Sequence, residues 1–155
     1  MKFKIAYLAD YPQFIPTIGE WLFNQWGRLS PDGSLEKSVL KVQASTNKDR
    51  VPFVLVAISN AKPLGIVCVV ENDLETRADL TPWLAGVLVL PAYRHYGVGR
   101  ELCLQAEKEM QSLGIKKAYL FTPDKQPFYA KMGWQKLEDT LYRDEEVSVM
   151  EKDIK

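Results

Sequence analysis

The stretch Leu88-Val89-Leu90-Pro91-Ala92-Tyr93-Arg94-His95-Tyr96-Gly97-Val98-Gly99-Arg100 gathers the residues best suited to holding an anion. An apolar run stops at Pro91, and an R-x-x-G-x-G loop then opens into a helical pattern. Glycine lets main-chain N–H groups approach a ligand closely, and a helix N-terminus offers unpaired donors with partial positive charge. Arg94 and Arg100 add two full charges, and the first acid to follow is Glu101. This chemistry suits a phosphate. A G-x-G alone would mark only a tight turn; its place between strand and helix, flanked by two arginines, favours phosphate. The G-x-x-x-x-G-K-[ST] spacing of a triphosphate loop is absent, and Leu102 stands where a dinucleotide fingerprint has its third glycine.

The elements that must position this loop follow from hydrophobic spacing. Phe3, Ile5 and Tyr7 alternate with polar or small residues, as in a half-buried strand. Phe14, Ile18, Trp21 and Leu22 keep helical spacing up to Gly27, with Pro16 marking a kink or a late start. A second helix is expected over 34–45, then a hairpin from strands 52–59 and 64–70 around the turn 60–63. Residues 71–81 are polar and irregular, which suggests a mobile loop. The apolar run 83–90 reads as a strand covered on both faces. The best helical stripe is Leu102, Ala106, Met110 and Leu113, with Gly114 as its stop. A strand at 118–122 completes a strand–helix–strand unit. A short helix near 127–132 and strands at 134–137 and 146–150 close the chain. The expected fold class is α+β, a single domain over 1–155 built on a mixed sheet.

Length and charge narrow the rest. A chain of 155 residues is large enough to bury a core without disulfides or metals. Lys+Arg 20 balance Asp+Glu 20, so a bulk electrostatic grip on nucleic acid or an anionic membrane is not expected. Cys68 and Cys103 lack metal-ligand spacing, and no apolar run approaches the ~18 residues of a membrane span. The beginning of the chain alternates like a strand and lacks a cleavage signal, so a cytoplasmic protein is expected.

The strand Leu88-Val89-Leu90-Pro91 followed by Tyr93-Arg94-His95-Tyr96-Gly97-Val98-Gly99 resembles the acetyl-CoA-binding motif of the GNAT N-acetyltransferase superfamily. Pro127-Phe128-Tyr129-Ala130-Lys131-Met132-Gly133-Trp134 resembles that family's second signature, F-Y-x-K-x-G-[FW]. One helix and one strand separate the two segments, as in the family, and the resemblance covers nearly the whole chain. It implies a mostly antiparallel sheet of about seven strands, with a splayed parallel central pair and about four helices. The implied co-substrate is acetyl-CoA. Leu88 and Val89 would pair with its pantetheine arm through their backbone. Arg94, His95, Tyr96, Gly97, Val98, Gly99 and Arg100 would form the pyrophosphate loop, with Thr122 and Phe128 completing the cofactor site. Tyr129 would be the general acid for the departing thiolate. Thr122-Pro123-Asp124 departs from the family, which often has asparagine there. The strand 83–89 also lacks the glutamate that some members carry.

The implied reaction is direct attack of a neutral primary amine on the thioester in a ternary complex. An alkylammonium has a pKa near ~10, so a group must take its proton. Glu71 or Asp73 are the leading candidates, with Glu20 and Glu146 behind them. His95 lies inside the pyrophosphate loop, on the wrong side of the thioester. Tyr11, Trp21, Trp26 and Trp83 are candidate walls for a cationic acceptor, or else core anchors. The expected partner is a small-molecule amine acceptor, with no nucleic acid, membrane or metal, in a monomer or homodimer. The alternatives are acetylation of a protein N-terminus or lysine, and an inactive acyl-CoA-binding regulatory domain.

Overall fold

The computed structural model describes residues 1–155. Its strands are β1 (Lys4–Tyr7), β2 (Phe53–Ser59), β3 (Lys62–Val70), β4 (Trp83–Val89), β5 (Lys117–Thr122), β6 (Gln135–Tyr142) and β7 (Glu145–Asp153). Four α-helices accompany them: α1 (Ile15–Gln25), α2 (Leu35–Gln43), α3 (Val98–Ser112) and α4 (Gln126–Ala130). The strands form one sheet in the order β1-β2-β3-β4-β5-β7-β6. Only β4 and β5 run parallel. The expected mixed, mostly antiparallel seven-stranded α+β sheet with a parallel central pair therefore forms.

Period-2 alternation in β3 sends its side chains to two cores. Val67 and Val69 join Leu102, Ala106 and Met110 of α3 on one face, where Tyr129 of α4 also packs. Ile66 and Cys68 join Ile18 of α1 and Val42 of α2 on the other. The two helices on that second face lie close together: a Cβ at Gly19 would stand 2.5 Å from Val39 Cγ2. Ser34 caps α2, its hydroxyl accepting from Lys37 N–H at 3.1 Å. Such a cap contributes about 1 kcal/mol.

Several local expectations shift. Of the kink or late start that Pro16 suggested, the first helix takes the late start, at Ile15, because Pro16 fits only the first turn of an α-helix. The first hairpin turns on Asn60-Ala61 alone, both at positive φ, so Lys62 and Pro63 belong to β3. The strands expected at 134–137 and 146–150 extend into a hairpin of 8 and 9 residues. Charged residues conceal the length of β6, as is common for an edge strand that must not recruit partners.

The segment 71–82 is anchored rather than loose. Leu74 is buried against Trp83 and Val149. Arg77 pairs with Asp79 at 3.1 Å and with Glu138 of β6. Trp83, considered above as a pocket wall, is fully buried, with Nε1 donating to the Leu80 carbonyl at 2.6 Å. It is a core anchor. No helix is long and apolar enough to cross a membrane.

Candidate active site

The site begins with a defect in pairing. Gly65 opposes Val89 and Ile66 opposes Leu88, but Cys68 opposes Ala85. Gly86 and Val87 therefore share the single partner Val67, which is a β-bulge. Gly86 adopts φ +59, and a Cβ there would meet Cys68 Sγ at 3.1 Å and Leu22 Cδ2 at 3.5 Å. Only glycine fits both demands.

A bulge bends its strand, and here the two parallel strands part. They share one paired position, Trp83 with Tyr119, next to a bond from Tyr119 N–H to the Pro82 carbonyl at 3.0 Å. Beyond it β5 stays on β7 as far as Thr122, and β4 stays on β3 as far as Val89. The β4 edge facing β5 thus has no strand partner over its second half. This explains why Trp83 and Leu84 are buried while 85–89, expected to be covered on both faces, are only half-buried.

The phosphate-suited loop follows at the mouth of this gap. Arg94 Nε donates to the Val89 carbonyl at 3.0 Å, which ties the loop to the strand end. His95 and Gly97 have φ +69 and +79. Gly97 is the left-handed N-cap of α3, and no atom lies within 4 Å of where its Cβ would be. The first helical bond runs from Glu101 N–H to the Gly97 carbonyl at 3.0 Å. It leaves Val98, Gly99 and Arg100 N–H groups without intrahelical acceptors, at the positive end of the helix dipole. His95, Tyr96 and Arg100 are exposed, and Arg100 reaches Glu101 at 3.3 Å. These features fit an elongated phosphate-bearing group.

The two motif segments meet here. A side chain at Gly99 would touch Val89 Cγ2 at 3.6 Å and Phe128 Cζ at 3.8 Å, so the strand end, the helix start and α4 converge. Phe128 is half in solvent and packs edge-on against Tyr129, ring centroids 5.0 Å apart. Tyr129 is buried to 9 % exposure. Burial, reinforced by the neighbouring Cys103 sulfur, raises its phenol above the ordinary value. Tyr129 therefore remains a proton donor throughout the neutral range. Thr122 is buried at the end of β5, and its Oγ1 accepts from Lys125 N–H at 3.0 Å, which shapes the entry to α4.

On the opposite face, Asp73 follows β3 and is half-buried. Burial raises its carboxyl to about 6, with the Lys41 ammonium partly opposing the shift. Its charge also reaches Cys68, whose thiol burial pushes up to about 12. Asp73, Cys68, Lys41 and the Gly86 bulge therefore form one neighbourhood. Glu71 is exposed on the rim of a cavity of about 300 Å³ beside Lys41, Ser45 and Asn72. Glu20 and Glu146 are exposed, Trp26 is 40 % exposed, and Trp21 packs against the α1/α2 core. Sequence reasoning missed Gly86, Leu22, Cys68 and Lys41. A glycine inside an apolar strand was the available signal for the bulge.

A mixed sheet parted between its parallel strands, with a helix N-terminus at the opening, offers a slot for an extended phosphate-bearing group. The model of the acetyltransferase (GNAT) family matches residues 9–134, and the chain belongs to that family. Solved structures with the same fold include an aminoglycoside 6'-N-acetyltransferase complexed with coenzyme A, at TM-score 0.77 and 17% identity over 97% of each chain. A GNAT-family acetyltransferase from Streptococcus pneumoniae aligns at TM-score 0.74 and 20% identity over 99% of this chain and 100% of its own. The aminoglycoside 6'-N-acetyltransferase from Enterococcus faecium gives TM-score 0.72 and 18% identity over 99% and 97%. No curated protein matches the chain.

Proposed function

We propose that this protein transfers the acetyl group of acetyl-CoA to a primary amine of a small-molecule acceptor by direct attack in a ternary complex. The observation that supports the reading is that two groups able to handle protons pack on opposite faces of the sheet that contains the parted strands. Tyr129 packs on the α3 face, and Asp73 lies on the face that carries α1 and α2. A thioester entering from one side and an amine from the other would meet between them. Two of the structural neighbours bear the name aminoglycoside 6'-N-acetyltransferase, which supports a small amine as acceptor.

In this reading the N–H groups of Val98, Gly99 and Arg100 bind the pyrophosphate, with Arg94 and Arg100 adding charge. The Val89 carbonyl is already taken by Arg94, so the backbone donors near Leu88 and Val89 serve the pantetheine arm and the acetyl oxygen. Asp73, with a carboxyl near 6, is largely ionised at neutral pH and takes the ammonium proton, directly or through one water. It is preferred to Glu71, whose exposed position leaves it in solvent. Tyr129 donates its hydroxyl proton to the departing thiolate.

Thiol release from acetyl-CoA across a panel of amines tests this, with the wild type compared to Asp73→Asn and Tyr129→Phe. Turnover with a small amine that falls in both variants is expected. Turnover only with peptides would overturn the acceptor, and tight cofactor binding without any turnover would mark a regulatory acyl-CoA-binding domain.

A further inference from the structure

Behind Tyr129 lies an ion pair that the reaction does not use. Lys152 of β7 opposes Ala118, a residue of the α3-side core, and so faces that helix. Its Nζ stands 2.6 Å from Glu107 Oε1 of α3, with the two side chains only 21% and 13% exposed. The same Nζ donates to the Met132 carbonyl in the turn after α4. Its stem crosses Gly133, where a Cβ would come within 3.3 Å of Lys152 Cε. The motif glycine thus leaves the room this lysine occupies.

The turn held in this way clamps Tyr129. Met132 N–H and Trp134 N–H both donate to the Tyr129 carbonyl, at 2.9 and 3.2 Å. The pair has little value as a stabiliser. Glu107 Oε2 is buried without a partner, and burying two charges costs about as much as their attraction returns. Its effect is geometric: it ties α4 and its turn to the helix whose first residues form the anion-suited loop.

We propose that Lys152, anchored by Glu107, is a positioning residue for Tyr129, holding the phenol in register with the loop that begins α3. This rests on the reading of Tyr129 as the general acid.

The test is a double-mutant cycle measured as kcat and as KM for acetyl-CoA. Lys152→Met keeps the stem over Gly133 and removes the ammonium. It should lower kcat about tenfold, leave KM within about twofold, and have no further effect in a Tyr129→Phe background. Because Lys152→Met alone strands the Glu107 charge, the companion Glu107→Gln/Lys152→Met removes both charges together. It should fold and show the same loss of kcat. Multiplicative losses from Lys152→Met and Tyr129→Phe, or a wild-type kcat in the charge-free companion, would overturn the positioning role while leaving the acid role intact. An undiminished kcat in Tyr129→Phe alone would instead remove the acid reading, and the positioning role with it.

Discussion

The two sides of the parted strand are built differently. The proposed cofactor side comes from thirteen consecutive residues, 88–100, and offers peptide N–H groups, a helix dipole and one left-handed glycine. The proposed acceptor side draws on five separate elements: Leu22 of α1, Lys41 of α2, Cys68 of β3, Asp73 of the following loop and Gly86 of β4. The first is electrostatics of the backbone, and most side-chain changes leave it standing. The second is electrostatics of burial, where the surroundings of one carboxylate raise its proton affinity.

Four substitutions probe this contrast. The largest effect is expected for Tyr129→Phe, which removes a proton donor and leaves the ring packing. Its kcat should fall ~10²-fold or more with little change in KM for acetyl-CoA, by steady-state kinetics. Asp73→Asn comes next, with a loss of about 10² in kcat/KM for the amine. In the wild type the rate should rise with pH through about 6 as the carboxyl ionises, and this limb should vanish in the variant. The stability effect has the opposite sense. A folded value of about 6 lies above the unfolded ~3.9, so the contribution is fully present below about pH 4 and is lost as pH rises through about 6. Thermal melts at pH 8 should find Asp73→Asn more stable than the wild type, on the order of 2 kcal/mol.

Gly97→Val sharpens the comparison on the cofactor side. No neighbour crowds that position, so the cost is conformational, ~1–2 kcal/mol for a side chain at φ +79. Calorimetric affinity for CoA should weaken about tenfold while the amine dependence stays as it was. Arg77→Ala gives the smallest effect. It releases the segment 71–82 from Glu138, and should raise the amine KM modestly without changing CoA affinity.

These differences also explain what could be read in advance. The anion-suited loop was legible because a positive-φ glycine, a strand end and a helix start are local properties of adjacent residues. The parallel β4–β5 pair followed from the strand–helix–strand pattern. The choice between Glu71 and Asp73 was not legible: a single residue separates them, and only packing buries one and leaves the other in solvent. Trp83 illustrates the same limit from the other direction. Its type suggested a cation-binding wall, yet Leu74 and Leu80 of the preceding segment and Val149 of β7 enclose it.

By itself, then, the sequence determined most of the elements and the loop that suits a phosphate, because short-range sterics and hydrophobic periodicity act between neighbours in the chain; the motif tyrosine was singled out only by the resemblance to a family. Only the tertiary structure decided that β4 bulges at Gly86 and parts from β5, that Asp73 is buried more deeply than Glu71, and that Lys152 reaches back to the turn holding Tyr129. Each of these depends on desolvation or contact between residues far apart in sequence, and such quantities have no value until the sheet has closed around them.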